Sequence, residues 1–430
     1  MNKFLFGVAT AAYQIEGTHQ AFRTIWDGHE DLILDHSNCD VACDFYHQYE
    51  KDIEMIKALD VDVYRMSISW ARIQPKINEF SKEGIAFYHK IFTILKEKNI
   101  LIDVTLYHWD MPQWLLDMHI GFDHENIIDY FLTYAKKMFE CFDTYVRAWT
   151  TINEPWCVSV VGYYYGTHAP FVSDLSRMVK AQYYTLRVHQ EVYTYYKLNY
   201  HKKIGIVLNL WQQYAFSKQL LDLKAMEYSD IFHNRIYLDP LFKGKYPDKW
   251  LLQLKTLDID VSFIDDKKIQ LLKNQIDFLG INYYSHHTIQ FDEQSQFYFK
   301  HVDTIYDKTA MGWEINADGL IDMIKRIRLS YTDIPIYITE NGAAFDDELI
   351  DHKVLDNQRI NYIKNHIEKV ISHKEKLNIL GYYCWSLLDN FEWAFGYTKR
   401  FGLIYINFNT LERYPKQSYY FYQNLIKQNK

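Results

Sequence analysis

Ile334-Pro335-Ile336-Tyr337-Ile338-Thr339-Glu340-Asn341 is the stretch from which the fold of this chain can be read. Its β-branched and aromatic residues suit a buried strand, and it is too short for a core helix. It stops at a carboxylate followed by Asn341-Gly342, a strong turn signal. The flanking runs 315–331 and 356–374 place apolar side chains at three- and four-residue steps, as amphipathic helices do. The same alternation recurs outward in both directions. Candidate strands fall at 4–9, 61–68, 100–107, 146–153, 203–210, 277–284 and 379–386, and candidate helices at 44–59, 84–98, 124–142, 174–200 and 416–428. In the first helix Phe45, Tyr49, Ile53, Ile56 and Leu59 form one apolar stripe. Eight strands alternating with helices, with no Pro- or Gly-rich linker between them, predict an α/β chain forming a single (β/α)8 TIM barrel over residues 1–430. The surplus length at 211–275 and 285–313 predicts inserted loops after strands five and six. A doubly wound open sheet is the alternative on pattern alone. It calls for a glycine-rich phosphate turn after the first strand, and none is present.

Composition narrows the function classes. Of the 430 residues 48% are apolar and 17% aromatic, with 16 Gly and 8 Pro, which excludes disordered, collagen-like and low-complexity chains. A formal net charge of −8 leaves no basic face for phosphate backbones, so no nucleic-acid partner is expected. No apolar run approaches the roughly 18–20 residues of a spanning helix, so no membrane partner is expected either. The start, Met1-Asn2-Lys3-Phe4-Leu5-Phe6-Gly7, shows no charged region followed by an apolar stretch, hence no secretory signal. Five scattered cysteines, Cys39, Cys43, Cys141, Cys157 and Cys384, fit a reduced cytoplasm better than a disulfide framework. Cys39 and Cys43 would share a face if their segment were helical, and without a second pair at zinc spacing they read as small buried residues. His286-His287 would point to opposite sides of an extended segment and no His-Glu-x-x-His occurs, so neither a metal nor a cofactor is expected.

A barrel of this kind carries its chemistry at the C-terminal ends of its strands. The reactive residues gather there. Strand two ends near Arg65, strand three runs into His108-Trp109-Asp110, and strand four into Asn153-Glu154-Pro155. Strand six ends at Asn282-Tyr283-Tyr284, strand seven at Glu340, and strand eight at Trp385, with Glu392-Trp393 just beyond. Each of Glu154 and Glu340, taken alone, reads first as a turn or ion-pair residue. Together at one barrel mouth, beside Asn153 and Arg65, they match what glycoside hydrolysis needs: a proton donor for the leaving oxygen and an anion for the anomeric carbon. Trp109, Trp313, Trp385 and Trp393 offer indole faces on which a pyranose can stack, although a chain with 11 Trp and 37 Tyr also packs some at barrel rims. Gln14, His108, Asn153, Asn282 and Glu392 supply groups that sugar hydroxyls require; His108 alone reads equally as a core histidine.

The blocks Phe6-Gly7-Val8-Ala9-Thr10-Ala11-Ala12-Tyr13-Gln14-Ile15-Glu16-Gly17, Tyr64-Arg65-Met66-Ser67-Ile68-Ser69-Trp70-Ala71-Arg72-Ile73, Tyr107-His108-Trp109-Asp110-Met111-Pro112 and Asn153-Glu154-Pro155 follow one another in order. Gly280-Ile281-Asn282-Tyr283-Tyr284, Thr339-Glu340-Asn341-Gly342 and Trp385-Ser386-Leu387-Leu388-Asp389-Asn390-Phe391-Glu392-Trp393 complete the series. In that co-linear order they closely resemble glycoside hydrolase family 1, the retaining β-glucosidase family, from Phe4 to about Tyr422. The resemblance implies hydrolysis of a terminal non-reducing β-D-glucosyl residue, with β-galactosyl or β-fucosyl residues as further candidates, and a small-molecule β-glycoside as partner; an oligomer is compatible with it. It casts Glu340 as nucleophile and Glu154 as acid/base, supported by Arg65, Asn153, Asn282 and Tyr284. Arg65 and Tyr284 would orient Glu340, and Asn153 would hold the sugar 2-hydroxyl. Gln14, His108, Trp109, Asn153, Trp385, Glu392, Trp393 and Phe401 become substrate-binding, while His168 and Trp313 lie toward the aglycone. In the resemblance, 6-phospho-β-glycosidases carry Ser at the place of Glu392 and Tyr at that of Phe401; Lys399 occurs in both groups. A carboxylate repels a phosphate dianion and accepts from a neutral hydroxyl, so an unphosphorylated sugar is favoured, with a 6-phospho-β-glucosidase and a non-catalytic sugar-binding barrel as the alternatives. Glu154 also argues against the thioglucosidase branch. The departures, Ile120-Gly121-Phe122 for Gly-Gly-Trp and Phe171 for Gly after His168-Ala169-Pro170, bear on loop shape and aglycone preference.

Overall fold

Eight parallel strands close into a barrel in the computed structural model, which describes residues 3–430. They are β1 (Leu5–Ala9), β2 (Val63–Ser67), β3 (Leu101–Tyr107), β4 (Ala148–Asn153), β5 (Lys203–Asn209), β6 (Leu279–Asn282), β7 (Ile336–Asn341) and β8 (Ile379–Trp385). Each lies beside its neighbours in the chain, and β8 returns to pair with β1 through Leu5–Gly381 to Ala9–Trp385. All eight fall within the candidate strands, because a strand buried on both faces reads as a short continuous apolar run. Helices Phe45–Leu59, Lys82–Glu97, Ile127–Phe142, Leu175–Asn199, Ala317–Ser330, Asn357–His373 and Gln417–Asn429 occupy the periodic segments. Several start at side-chain caps: Ser81 accepts from the Gly84 N–H, Asp174 from Arg177 and Asn316 from Gly319, each satisfying a donor that the first helical turn leaves free.

The N-terminal half of the barrel interior is filled. The Tyr383 hydroxyl donates to Asp103 at 2.7 Å, and since β8 and β3 are not neighbours this bond crosses the interior. Arg147 donates to the same Asp103 carboxylate through Nε at 2.8 Å and to the Tyr337 hydroxyl at 3.3 Å. Glycine makes room for the rings: a Cβ on Gly7 would lie 2.5 Å from the Tyr383 ring. The C-terminal end opens into a cavity.

Both insertions stand where the surplus length placed them, but they join in a way the sequence did not announce. Gln213–Ala215 from the first, and His287–Phe291 and Phe299–His301 from the second, make one small three-stranded sheet. Strands of three to five residues are too short to show a period. A π-helical segment, Cys157–Tyr165, follows β4, and an antiparallel pair, Ile404–Asn407 with Glu412–Pro415, follows β8; neither was anticipated. Cys39 and Cys43 are fully buried as expected, in a non-helical segment, and all five cysteines are free. Among the described residues no helix is long and apolar enough to cross a membrane.

Candidate active site

Glu340 is the penultimate residue of β7 and Glu154 directly follows β4, so both carboxyls emerge at the C-terminal mouth. The Asn341-Gly342 pair is more than a turn. A Cβ on Gly342 would lie 1.7 Å from the Trp385 carbonyl oxygen, so only glycine lets the chain beyond the carboxylate pass the end of β8. Glu154 itself has φ +50°, a left-handed conformation rare for a residue with a side chain and of the kind that clusters at functional sites.

The two carboxyls are held differently. Glu340 receives a bond on each oxygen, from Arg65 Nη1 at 2.5 Å and from the Tyr284 hydroxyl at 2.6 Å. Arg65 reaches on through Nη2 to Asn153 Oδ1 at 2.7 Å. Asn282 Nδ2 donates to that same oxygen at 3.1 Å and to Glu154 Oε1 at 2.5 Å, while its own carbonyl accepts from Thr339 at 2.8 Å. One continuous network therefore runs Glu340, Arg65, Asn153, Asn282, Glu154. Among the described residues no basic side chain hydrogen-bonds Glu154, whose other side-chain contact is the Cys157 thiol, which donates to Oε2 at 3.1 Å. Burial first, and the nearby Glu340 charge second, push the Glu154 carboxyl up to about 8, against the opposing donors Asn282 and Cys157.

Both face a cavity of about 530 Å³. His108, Trp109, His168, Tyr284, Trp313, Trp385, Glu392, Trp393 and Phe401 share its wall with them. Arg65, Asn153 and Asn282 stand just behind and bond to wall residues or to each other, while Gln14 donates to the Phe391 carbonyl at 2.7 Å, next to Glu392. Several buried polar atoms here have no protein partner: Gln14 Oε1, His108 Nδ1 and Glu392 Oε2. Leaving buried polar atoms unpaired is costly, so their gathering at one cavity marks a ligand rich in hydroxyls. His108 shows the logic. Asn153 spends its oxygen on Arg65 and Asn282, so its amide N–H donates to His108 Nε2 at 3.2 Å. That leaves the proton of the neutral ring on the unpaired Nδ1, and burial with the Arg65 charge holds the ring well below its usual range. Burial, with Glu340 and Glu154 adding to it, likewise lifts Glu392 to about 8. Trp385 lies nearly parallel to His108, ring centres 5.7 Å apart, and Trp393 packs 4.7 Å from Trp109. Phe401 backs Tyr284 and Trp313 at 6.0 and 6.2 Å. His168 sits 5.3 Å from both Trp26 and Trp109, its titration lowered to about 3 by burial. Lys399 is turned away, donating to the Ala310 carbonyl at 2.7 Å.

Sequence reasoning missed three supports. Cys157 was counted only as a scattered thiol, although its place three residues after Glu154, at the start of a helical segment, is a face-sharing signal. Asn209 donates to that thiol at 3.2 Å, and Trp26 fixes the Trp109 loop through its indole N–H at 2.9 Å.

Comparison with known proteins agrees with this geometry. A family profile described as "Glycosyl hydrolase family 1" matches residues 1–430. The chain is 40% identical to "Beta-glucosidase A" of Acetivibrio thermocellus over 99% of its own length and 98% of that protein's. It is 36% identical to a "Bifunctional beta-D-glucosidase/beta-D-fucosidase" of Bifidobacterium breve, covering 98% and 97%. Among solved structures, the GH1 β-glucosidase from Exiguobacterium antarcticum B7 superposes with a TM-score of 0.97 at 43% identity, covering 100% of this chain and 99% of that one.

Proposed function

The chain belongs to glycosyl hydrolase family 1, and on that footing we propose that it is a retaining β-glucosidase with Glu340 as nucleophile and Glu154 as general acid and base. The observation that supports the roles is the asymmetry of the pair: two donors satisfy a carboxylate at Glu340, while burial and that neighbouring charge keep a proton on Glu154. Glu340 attacks the anomeric carbon as Glu154 gives its proton to the departing oxygen, forming a glycosyl ester and a free alcohol. Esterification removes the Glu340 charge. Glu154 then ionises more readily, takes a proton from water, and the water oxygen opens the ester to release the sugar with its configuration retained.

The remaining N–H of Asn153 holds the 2-hydroxyl, while Gln14, His108 and Glu392 take the others on their unpaired atoms. Trp385 is the stacking floor, Trp109, Trp393 and Phe401 shape the walls, and His168 and Trp313 face the aglycone. Because a Glu392-type acceptor serves more than one epimer, β-fucosides and β-galactosides are secondary substrates. The protein acts as one catalytic domain, residues 1–430, in a reducing cytoplasm, consistent with five free cysteines, and needs neither nucleic acid nor membrane as partner.

Two measurements test this. The kcat/KM for an alkyl β-glucoside is expected to fall about tenfold per pH unit above pH 8, where Glu154 loses the proton it must donate; a profile flat to pH 9.5 would remove Glu154 from the acid role. Nitrophenyl β-glucoside is expected to outrun its 6-phosphate by about a hundredfold or more, since among the described residues no Lys or Arg lines the cavity to receive a dianion and Lys399 is engaged elsewhere. A preference for the phosphate would assign the chain to the 6-phospho branch, and turnover of neither would make it a binding protein.

A further inference from the structure

The small sheet built by the two insertions and the helical segment Ile231–Arg235 bring three histidines to one point of the cavity wall. Ile289 pairs with His301 across the antiparallel strands, which puts His287 and His301 on one face of the sheet. The helical segment Ile231–Arg235 lays His233 on that face and is fixed there: Asn234 exchanges hydrogen bonds with the Trp211 backbone at 2.9 and 3.1 Å, and Ser229 donates to Gln213 at 2.9 Å. A nitrogen from each ring lies within 4.8 Å of the other two. Tetrahedral coordination at a Zn–N distance of about 2.05 Å separates ligands by roughly 3.4 Å, so small ring rotations close the set.

The rings are prepared for such a ligand. His233 Nδ1 donates to the Ser229 carbonyl at 2.9 Å, leaving Nε2 with its lone pair free, the backbone-anchored tautomer that metal-binding histidines use. Among the described residues neither nitrogen of His301 makes a hydrogen bond; Gln213 Nε2 donates to His287 Nδ1 at 3.3 Å, so that ring coordinates through Nε2 once its Nε2 proton is released to solvent or moved to Nδ1 as Gln213 lets go. Trp156 stacks on His233 at 5.3 Å and Trp211 on His287 at 5.2 Å, holding both planes. All three line the same cavity as Glu154 and Glu340.

We propose that His233, His287 and His301 form a site for one divalent transition-metal ion of the zinc class, set in the wall of the substrate cavity with its fourth position open to that cavity. Three neutral imidazoles with an open position suit zinc, copper or nickel and not magnesium or calcium. No template spacing betrays the set in the sequence, because its members come from three separate elements. The ion is not needed for hydrolysis; occupying the wall, it hinders substrates and lowers kcat/KM. A second cluster, His19, Asp44 and His47, is the natural competitor, but there Asp44 already engages His47 at 2.6 Å and His19 at 3.3 Å.

Calorimetric titration of the full-length protein with Zn2+, together with Co2+ absorption spectra, tests the site. One ion per chain is expected, with a tetrahedral Co2+ band. Affinity should weaken about 100-fold or more in His301→Ala and in His287→Ala and stay unchanged in His47→Ala. Zn2+ should slow nitrophenyl glucoside hydrolysis by the parent protein reversibly with EDTA, and leave His301→Ala at its own metal-free rate. His301 is exposed, so that variant is expected to fold. Binding that survives in His301→Ala, binding lost only in His47→Ala, or no binding below millimolar Zn2+ would each overturn the proposal.

Discussion

Glu340→Gln is expected to lose about 10⁴-fold or more in kcat on every β-glucoside, whatever the leaving group, because no other group can form the glycosyl ester. The fold should survive. Glutamine keeps an oxygen for Arg65 and an amide beside the Tyr284 hydroxyl, so the buried guanidinium is not stranded. The thermal midpoint therefore serves as the control for a lost side chain as against a lost structure. An activated 2-fluoro glucoside should trap the parent protein as a covalent adduct that peptide mapping places at Glu340, and should leave the variant unlabelled. Residual turnover well above background, or labelling at another carboxylate, would reassign the nucleophile.

Glu154→Gln should behave in the opposite way, its loss depending on the substrate. Dinitrophenyl glucoside departs without a proton and should form the ester at close to the parent rate. Alkyl glucosides and cellobiose, whose leaving alkoxides need the acid, should lose about 10²–10⁴-fold. With the base missing, the ester breaks down slowly, so a burst and a lowered KM are expected with the activated substrate. In Glu154→Ala the vacated space admits azide, which should restore turnover and yield β-glucosyl azide. An equal loss on all leaving groups, with no azide effect, would show Glu154 to be structural.

How much of this was legible beforehand follows from distance along the chain. The strands were readable because parallel barrel strands are buried on both faces, so Ile336 to Thr339 or Leu101 to Tyr107 stand out as apolar runs. Glu154 and Glu340 were readable because each charge ends such a run. The individual hydrogen bonds were not. Nothing local says that Asn282 shares Asn153 Oδ1 with Arg65, since those residues come from three strands. Gly342 looked like turn chemistry and proves to be a close approach to Trp385. The three-stranded sheet escaped notice because its strands are short and its partners come from separate insertions, and with it went the meeting of His233, His287 and His301.

The interior plug of Asp103, Arg147, Tyr337 and Tyr383 has a consequence for traffic. With that end filled, substrate and products use the C-terminal mouth of the catalytic chamber. Glucose stays bound as the ester until water opens it, so the alcohol leaves first and glucose last, a ping-pong order, and both pass the same mouth. A polymer cannot thread through, so each visit clips one unit from a chain end and then lets go. Any alcohol lingering in the doorway competes with water for the ester, and the same architecture that makes a hydrolase thereby makes a glycosyl-transfer catalyst whenever acceptors crowd the mouth.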